Sequence, residues 1–150
     1  MALLSEKDRE KVRERLEKGL VGDVQVSLFT QTEERLVVPG VECPQCRETR
    51  QLLEEIAELS DKIHLHIYDF LADAALAKEN QVDKIPAILI QGEQAGVIRY
   101  FGLPDGYEFP VLLDGLIDAS RAATDLSPAT KAELAKLEEE VHLQVFVTPT

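Results

Sequence analysis

Between Val24 and Asp69 the chain reads strand, helix, strand, and this order restricts its fold more than any other feature. Val24 to Thr30 (V-Q-V-S-L-F-T) sets Val24, Val26 and Leu28 on one face of an extended segment. Ile63 to Asp69 (I-H-L-H-I-Y-D) alternates strictly, with Ile63, Leu65 and Ile67 inward and His64, His66 and Tyr68 on the other face. In the intervening C-P-Q-C-R-E-T-R-Q-L-L-E-E-I-A-E-L, Cys46, Thr49, Leu53, Ile56 and Leu59 recur at helical spacing. Two strands joined through a helix form a parallel βαβ unit with a right-handed crossover.

The next segments complete a sheet. Leu71 to Glu79 is Ala-rich and helix-favouring. Ala87 to Ile90 is an unbroken apolar run suited to a central strand, Gly92 to Gly96 supplies a turn, and Val97 to Phe101 returns antiparallel. Pro86 has no N–H to give a ladder, so it belongs at that strand's first residue. Tyr107 to Arg121 places Phe109, Leu112, Leu113, Leu116 and Ile117 on a helix that packs back on the sheet. Ahead of everything, Ser5 and Asp8 form a capping box for a helix with Val12, Leu16 and Leu20 on one side, ended by Gly19 and Gly22. The expectation for residues 1–123 is one α/β domain with a mixed four-stranded sheet flanked by helices.

Residues 124–150 look like a fresh start. Ser127-Pro128 is an N-cap followed by proline at the first helical position, and a charged helix through Glu140 leads into H-L-Q-V-F-V-T-P-T. The opening helix leads into V-Q-V-S-L-F-T in the same way, so this stretch is expected to be a linker helix and the first strand of a second unit. His142 has no partner in the sequence and is read as capping that strand.

Composition limits what such a domain binds. Net charge is -12, from 28 acids against 16 Lys and Arg, and aromatics are 5%, so nucleic acid would meet repulsion and few stacking surfaces. No apolar run approaches the roughly 18 residues of a membrane span, and M-A-L-L-S-E-K-D-R-E lacks the segments of a signal peptide. A cytoplasmic protein with no membrane or nucleic-acid partner is expected.

V-E-C-P-Q-C-R-E-T holds both cysteines of the chain, Cys43 and Cys46, and three uses are open to them. A structural disulfide is disfavoured, because 150 residues bury roughly 70% of their unfolded surface and need no staple. A metal site needs two more ligands, for which His64 and His66 are the candidates, although the spacing is uncommon and polar positions on an alternating strand explain them. Redox exchange fits a helix start: Cys43 would be exposed at the positive end of the dipole and Cys46 partly covered, so Cys43 attacks and Cys46 resolves.

Bringing a thiol from a pKa of about 8.5 to about 7 takes roughly 2 kcal/mol, whereas a helix end supplies about 0.3 to 1. Hydrogen bonds to the sulfur, with Arg47 or Arg50, would have to add the rest, and Glu42 would oppose them. A proline such as Pro86 beside the sulfurs would leave backbone groups to hold an extended substrate segment, and a cis Ile85-Pro86 bond would set that geometry.

On Cys43-Pro44-Gln45-Cys46, the I-P-A of Ile85 to Ala87, V-I-R-Y-F-G-L-P-D-G-Y-E-F from Val97 to Phe109 and the final V-F-V-T-P-T, the chain resembles the N-terminal unit of the archaeal and thermophilic protein disulfide oxidoreductases. These are glutaredoxin-like proteins of two thioredoxin-fold units, each with its own CxxC. The resemblance implies a thioredoxin fold, a Cys43 nucleophile, a Cys46 resolving thiol and a cis Pro86, with Pro44, Gln45, Ile85 and Pro86 against the substrate and no cofactor or metal beyond the cysteine pair. It also implies protein disulfides or dithiols as substrates and an NADPH-dependent flavoprotein of the thioredoxin reductase type as electron donor.

Two other readings stand beside it: a non-catalytic docking module that uses the Pro86 groove, and the N-terminal disulfide-relay domain of the flavoprotein that reduces peroxiredoxin. The chain departs from the family in the long stretch between Thr30 and Cys43, which extends the first strand or adds a loop beside the site. It also stops at Thr150, so a last strand seeking a partner could draw two copies together.

Overall fold

The computed structural model describes residues 2–31, 42–93, 96–121 and 123–146. Its elements are α1 (Glu6–Gly19), β1 (Val24–Thr30), α2 (Cys46–Ala57), β2 (Ile63–Asp69), α3 (Ala74–Glu79), β3 (Ala87–Gln91), β4 (Ile98–Phe101), α4 (Glu108–Arg121) and α5 (Pro128–Leu134). The strands form one sheet in the order β2-β1-β3-β4. Parallel pairing sets Val24 opposite Ile63 and Thr30 opposite Asp69. The antiparallel pairs set Phe29 opposite Ala87 and Ala87 opposite Phe101.

Each face of the sheet buries its own cluster. Val24, Val26 and Leu28 of β1, with Ile88 and Ile90 of β3, pack against Val12 and Leu16 of α1, Leu53 and Ile56 of α2, and Leu112 and Leu116 of α4. On the other face Phe29, Ala87 and Leu89 meet Ala77 of α3 and Val82, and Tyr68 stacks on Phe29 with ring centroids 5.2 Å apart. Burying a side chain such as Leu16, Leu28 or Ile88 contributes roughly 1.5 to 3 kcal/mol. The alternation in β1 thus puts even-numbered residues under three helices and Phe29 under one.

Helix α1 starts where its capping box places it: Ser5 Oγ accepts from the Asp8 N–H at 3.2 Å and donates to the Asp8 carboxylate at 2.6 Å. Helix α3 starts later than its composition predicts. Asp69 Oδ1 accepts from the N–H groups of Leu71 and Ala72, and Asp73 Oδ2 accepts from that of Asp69. These carboxylates offer the backbone a turn in place of helical bonds, so regular helix waits until Ala74.

Helix α2 begins at Cys46, and Pro44 lies in the turn that precedes it. The Cys46 N–H there bonds back to the Cys43 carbonyl at 3.2 Å.

Helix α5 ends at Leu134 rather than running through Glu140. Its residues bury nothing, and a short helix without packing is marginal in water; Glu138, Glu139 and Glu140 would also crowd negative charge at its negative end. Residues 141–146 make no strand among the described residues. The end of that expected strand, 147–150, lies outside the described residues, as do the stretch 32–41 ahead of Cys43 and positions 94–95 of the β3–β4 turn.

Candidate active site

Three segments meet at the end of the sheet where β1 finishes and β3 begins. The first is the turn into α2, where Cys43 and Cys46 are joined as a disulfide with their Cα atoms 5.4 Å apart. Gln45 caps the helix in an αR conformation without a side-chain bond; its carbonyl accepts from both the N–H and the hydroxyl of Thr49, at 3.0 and 2.8 Å. The second is the cis Ile85-Pro86 bond directly ahead of β3. The third is Gly102, just past β4, whose N–H donates to the Pro86 carbonyl at 2.9 Å.

Gly102 has a φ of +108°, a region that side-chain-bearing residues rarely adopt, and a Cβ there would sit 3.9 Å from Gln45 Oε1. The Gln45 side chain therefore reaches Gly102, so the cysteine turn lies against the proline segment. Pairing of Phe29 with Ala87 and of Ala87 with Phe101 brings Thr30, Pro86 and Gly102 to one level of the sheet.

The two sulfurs are unequal. Cys43 is partly exposed, whereas Cys46, the first residue of α2, is 3% exposed. An attacking partner can reach only the outer one. The backbone of Cys43 is held by Gln31, whose Oε1 accepts its N–H at 3.2 Å, tying the cysteine turn to the end of β1. Among the expected site residues, Pro44 and Gln45 are exposed beside Cys43, Ile85 is half-buried and Pro86 is buried.

The charges around the pair differ from expectation. Arg50 is engaged by Glu54 one turn further on, Nε to Oε1 at 2.8 Å, because an i,i+4 partner lies nearer than the helix start. It does not supply the help the thiolate needs. Arg47 is exposed on the first turn of α2, and Glu42 is exposed to water. On the proline side Lys84 lies over the Phe101 ring, Nζ 5.1 Å from its centroid, one residue from Ile85.

Tyr100 donates its hydroxyl to Glu108 and so ties β4 to α4 across the loop that carries Gly102. Its phenol is pushed far above the ordinary value by burial first, then by that bond and the charges of Glu108 and Asp105. His64 and His66 serve elsewhere: His64 lies 3.4 Å from Asp23 and His66 3.0 Å from Gln25, and His64 pairs with Gln25, five residues before Thr30 or roughly 16 Å along the strand.

No family model and no curated protein matches the sequence. Solved structures do match its shape. A protein disulfide oxidoreductase from Aeropyrum pernix is 26% identical with a TM-score of 0.73, over 89% of this chain and 55% of that one. The fold is the thioredoxin fold. The alkylhydroperoxide reductase AhpF of Enterococcus faecalis is 18% identical with a TM-score of 0.72, over 89% of this chain and 61% of that one. A thioredoxin of Fasciola hepatica is 17% identical at a TM-score of 0.51, over 75% of this chain and 92% of that one. The chain spans little more than half the length of the first two. No described helix is long and apolar enough to cross a membrane.

Gln31 and Gly102 were not among the residues the sequence pointed to. Gly102 carries a readable signal, a glycine directly after an antiparallel strand. Gln31 carries none, since its bond to Cys43 spans a stretch of twelve residues.

Proposed function

We propose that the protein is a thiol-disulfide oxidoreductase acting on protein disulfides through Cys43 and Cys46. The observation that carries this reading is the inequality of the pair, a partly exposed Cys43 bonded to a buried Cys46. The Cys43 thiolate attacks one sulfur of a substrate disulfide, and the other substrate sulfur leaves and takes a proton. Cys46 then loses its proton and attacks Cys43, which releases the first substrate sulfur as a thiol. Two electrons and two protons pass to the substrate, and the pair ends in the disulfide form described above. Run backwards, the same steps oxidise a dithiol.

Pro86 lacks an N–H and gives its carbonyl to Gly102, so an extended substrate segment would pair with the backbone of Ile85, with Pro44 and Gln45 bordering it. The chain's electrons would come from an NADPH flavoprotein of the thioredoxin reductase type in the cytoplasm. The likeness to the Aeropyrum pernix oxidoreductase supports the same class of substrate. Residues 124–150 are proposed as a linker helix and first strand of a further unit or of a contact between copies, supported by Leu143, Val145 and Phe146, which are 84 to 89% exposed.

The test is insulin reduction with dithiothreitol. Cys43→Ser should remove the protein's contribution, and unchanged activity would sink the reading. Binding of substrate with turnover supported by the Cys43→Ser protein would favour a docking role.

A further inference from the structure

Thr30, the last residue of β1, is 1% exposed, and its Oγ1 has no hydrogen-bond partner among the described residues. Buried hydroxyls normally find a partner, so an orphan beside a reactive pair calls for a use. Strand alternation points the Thr30 side chain to the face of Val24, Val26 and Leu28, the face that α2 covers. A crossover helix runs back along the strand it follows, which sets the end of β1 beneath the first turn of α2. The inward residues of that turn are Cys46 and Thr49, 3% and 0% exposed. Thr49 already gives its hydroxyl hydrogen to the Gln45 carbonyl at 2.8 Å.

We propose that Thr30 Oγ1 is the hydrogen-bond donor that receives the Cys46 sulfur once the Cys43–Cys46 disulfide is reduced, a role that rests on the thiol-disulfide reading above. While the disulfide stands, the Cys46 sulfur is tethered to Cys43 and is a weak acceptor. Reduction by two glutathione molecules moves two electrons and two protons to the pair and joins the glutathione sulfurs as a disulfide. The Cys46 sulfur, freed from Cys43, can then turn about its Cα–Cβ bond to accept from the Thr30 hydroxyl, and this bond strengthens when Cys46 gives up its proton to attack Cys43. The bond exists only in the reduced form, so it favours the dithiol. Thr30 is thus a positioning residue for the resolving sulfur.

Thr30→Val keeps the shape and the strand preference and removes the donor. Equilibrated against reduced and oxidised glutathione, its equilibrium constant for reduction should fall about fivefold, the effect of one ordinary hydrogen bond. Thr30→Ser should stay within twofold of the parent. The oxidised Thr30→Val protein should resist urea at least as well as the parent. A constant within twofold of the parent for Thr30→Val, a shift in Thr30→Ser as large as in Thr30→Val, or a loss of urea resistance in the oxidised form would each overturn the proposal.

If Thr30→Val does not fold, Thr30→Ala and Thr30→Ser both lack the methyl and differ in the hydroxyl, and the fivefold gap should appear between them. Insulin reduction that survives Cys43→Ser strikes the wider reading. An equilibrium that ignores Thr30 while activity still depends on Cys43 strikes only this one.

Discussion

The two ends of the sheet treat their polar groups in opposite ways. At the far end, where β1 begins and β3 finishes, the buried Ser120 hydroxyl donates to the Ile117 carbonyl at 2.7 Å and accepts from the Val21 N–H at 3.1 Å. The Gly22 N–H reaches the Ser120 carbonyl at 3.0 Å, Lys62 Nζ reaches that of Leu20 at 2.9 Å, and Arg121 Nε that of Gly19 at 3.3 Å. At the other end, the buried Thr30 hydroxyl has no partner among the described residues, Gly102 holds a left-handed φ, and Cys43 is partly exposed. One end is saturated and holds the fold. The other keeps bonding capacity for a second chemical state.

The largest effect should come from breaking the reactive end alone. Cys46→Ala leaves Cys43 able to attack but unable to be released, so a mixed disulfide with substrate should accumulate on non-reducing gels while steady turnover falls by at least about a hundredfold. The fold should tolerate it, since α2 keeps its buried Leu53 and Ile56.

The opposite experiment breaks the saturated end. A Cβ at Gly92 would lie 1.9 Å from the Ala119 carbonyl oxygen, a backbone atom of α4 that cannot swing away. Gly92→Ala should therefore cost about 3 kcal/mol in urea unfolding, with activity per folded molecule unchanged. Equal loss of both would show that the two ends are coupled.

Periodic features were legible in the sequence because their cause is local. The alternation of β1 and β2, the apolar run of β3 and the Ser5 capping box each show up as residues one side chain or one turn apart, and the sheet they build has the expected mixed pairing. Pro86 could be placed at the start of β3 from its missing N–H alone, whereas its cis bond was legible only through a family likeness. What stayed hidden depends on partners far along the chain. Gly92 reads as a turn residue, yet its size limit is set by Ala119, 27 positions later. Helix α5 carried a good local pattern and ended early for want of a surface to pack on, which no pattern within residues 127–140 could reveal.

Two buried hydroxyls sharpen the contrast. Ser120→Ala removes a donor and an acceptor that both have partners, and leaves the Val21 N–H unmet, so it should lower stability by about 1 to 2 kcal/mol. The oxidised Thr30→Val protein should lose nothing in the same urea titration. If the two variants fall by equal amounts, the far end is no more saturated than the site.

The smallest effect is a pH dependence set by Glu55, which pins the N-terminal segment to α2. Burial pushes its carboxyl up, but the N–H groups of Leu4 and Leu3, the Gln51 amide and Arg9 together outweigh burial and hold it below its ordinary value of 4.5. A depressed carboxyl contributes stability that is fully present above its unfolded pKa and is lost as pH falls through the folded one. The contribution should therefore be constant at neutral pH and disappear only below about pH 4.5, amounting to roughly 1 kcal/mol. Glu55→Gln keeps the size and loses the charge, so its urea midpoint should lie below the parent's at pH 7 and converge with it toward pH 3. Parallel curves down to pH 3 would mean that the backbone bonds to Leu3 and Leu4, and not the charge, do the pinning.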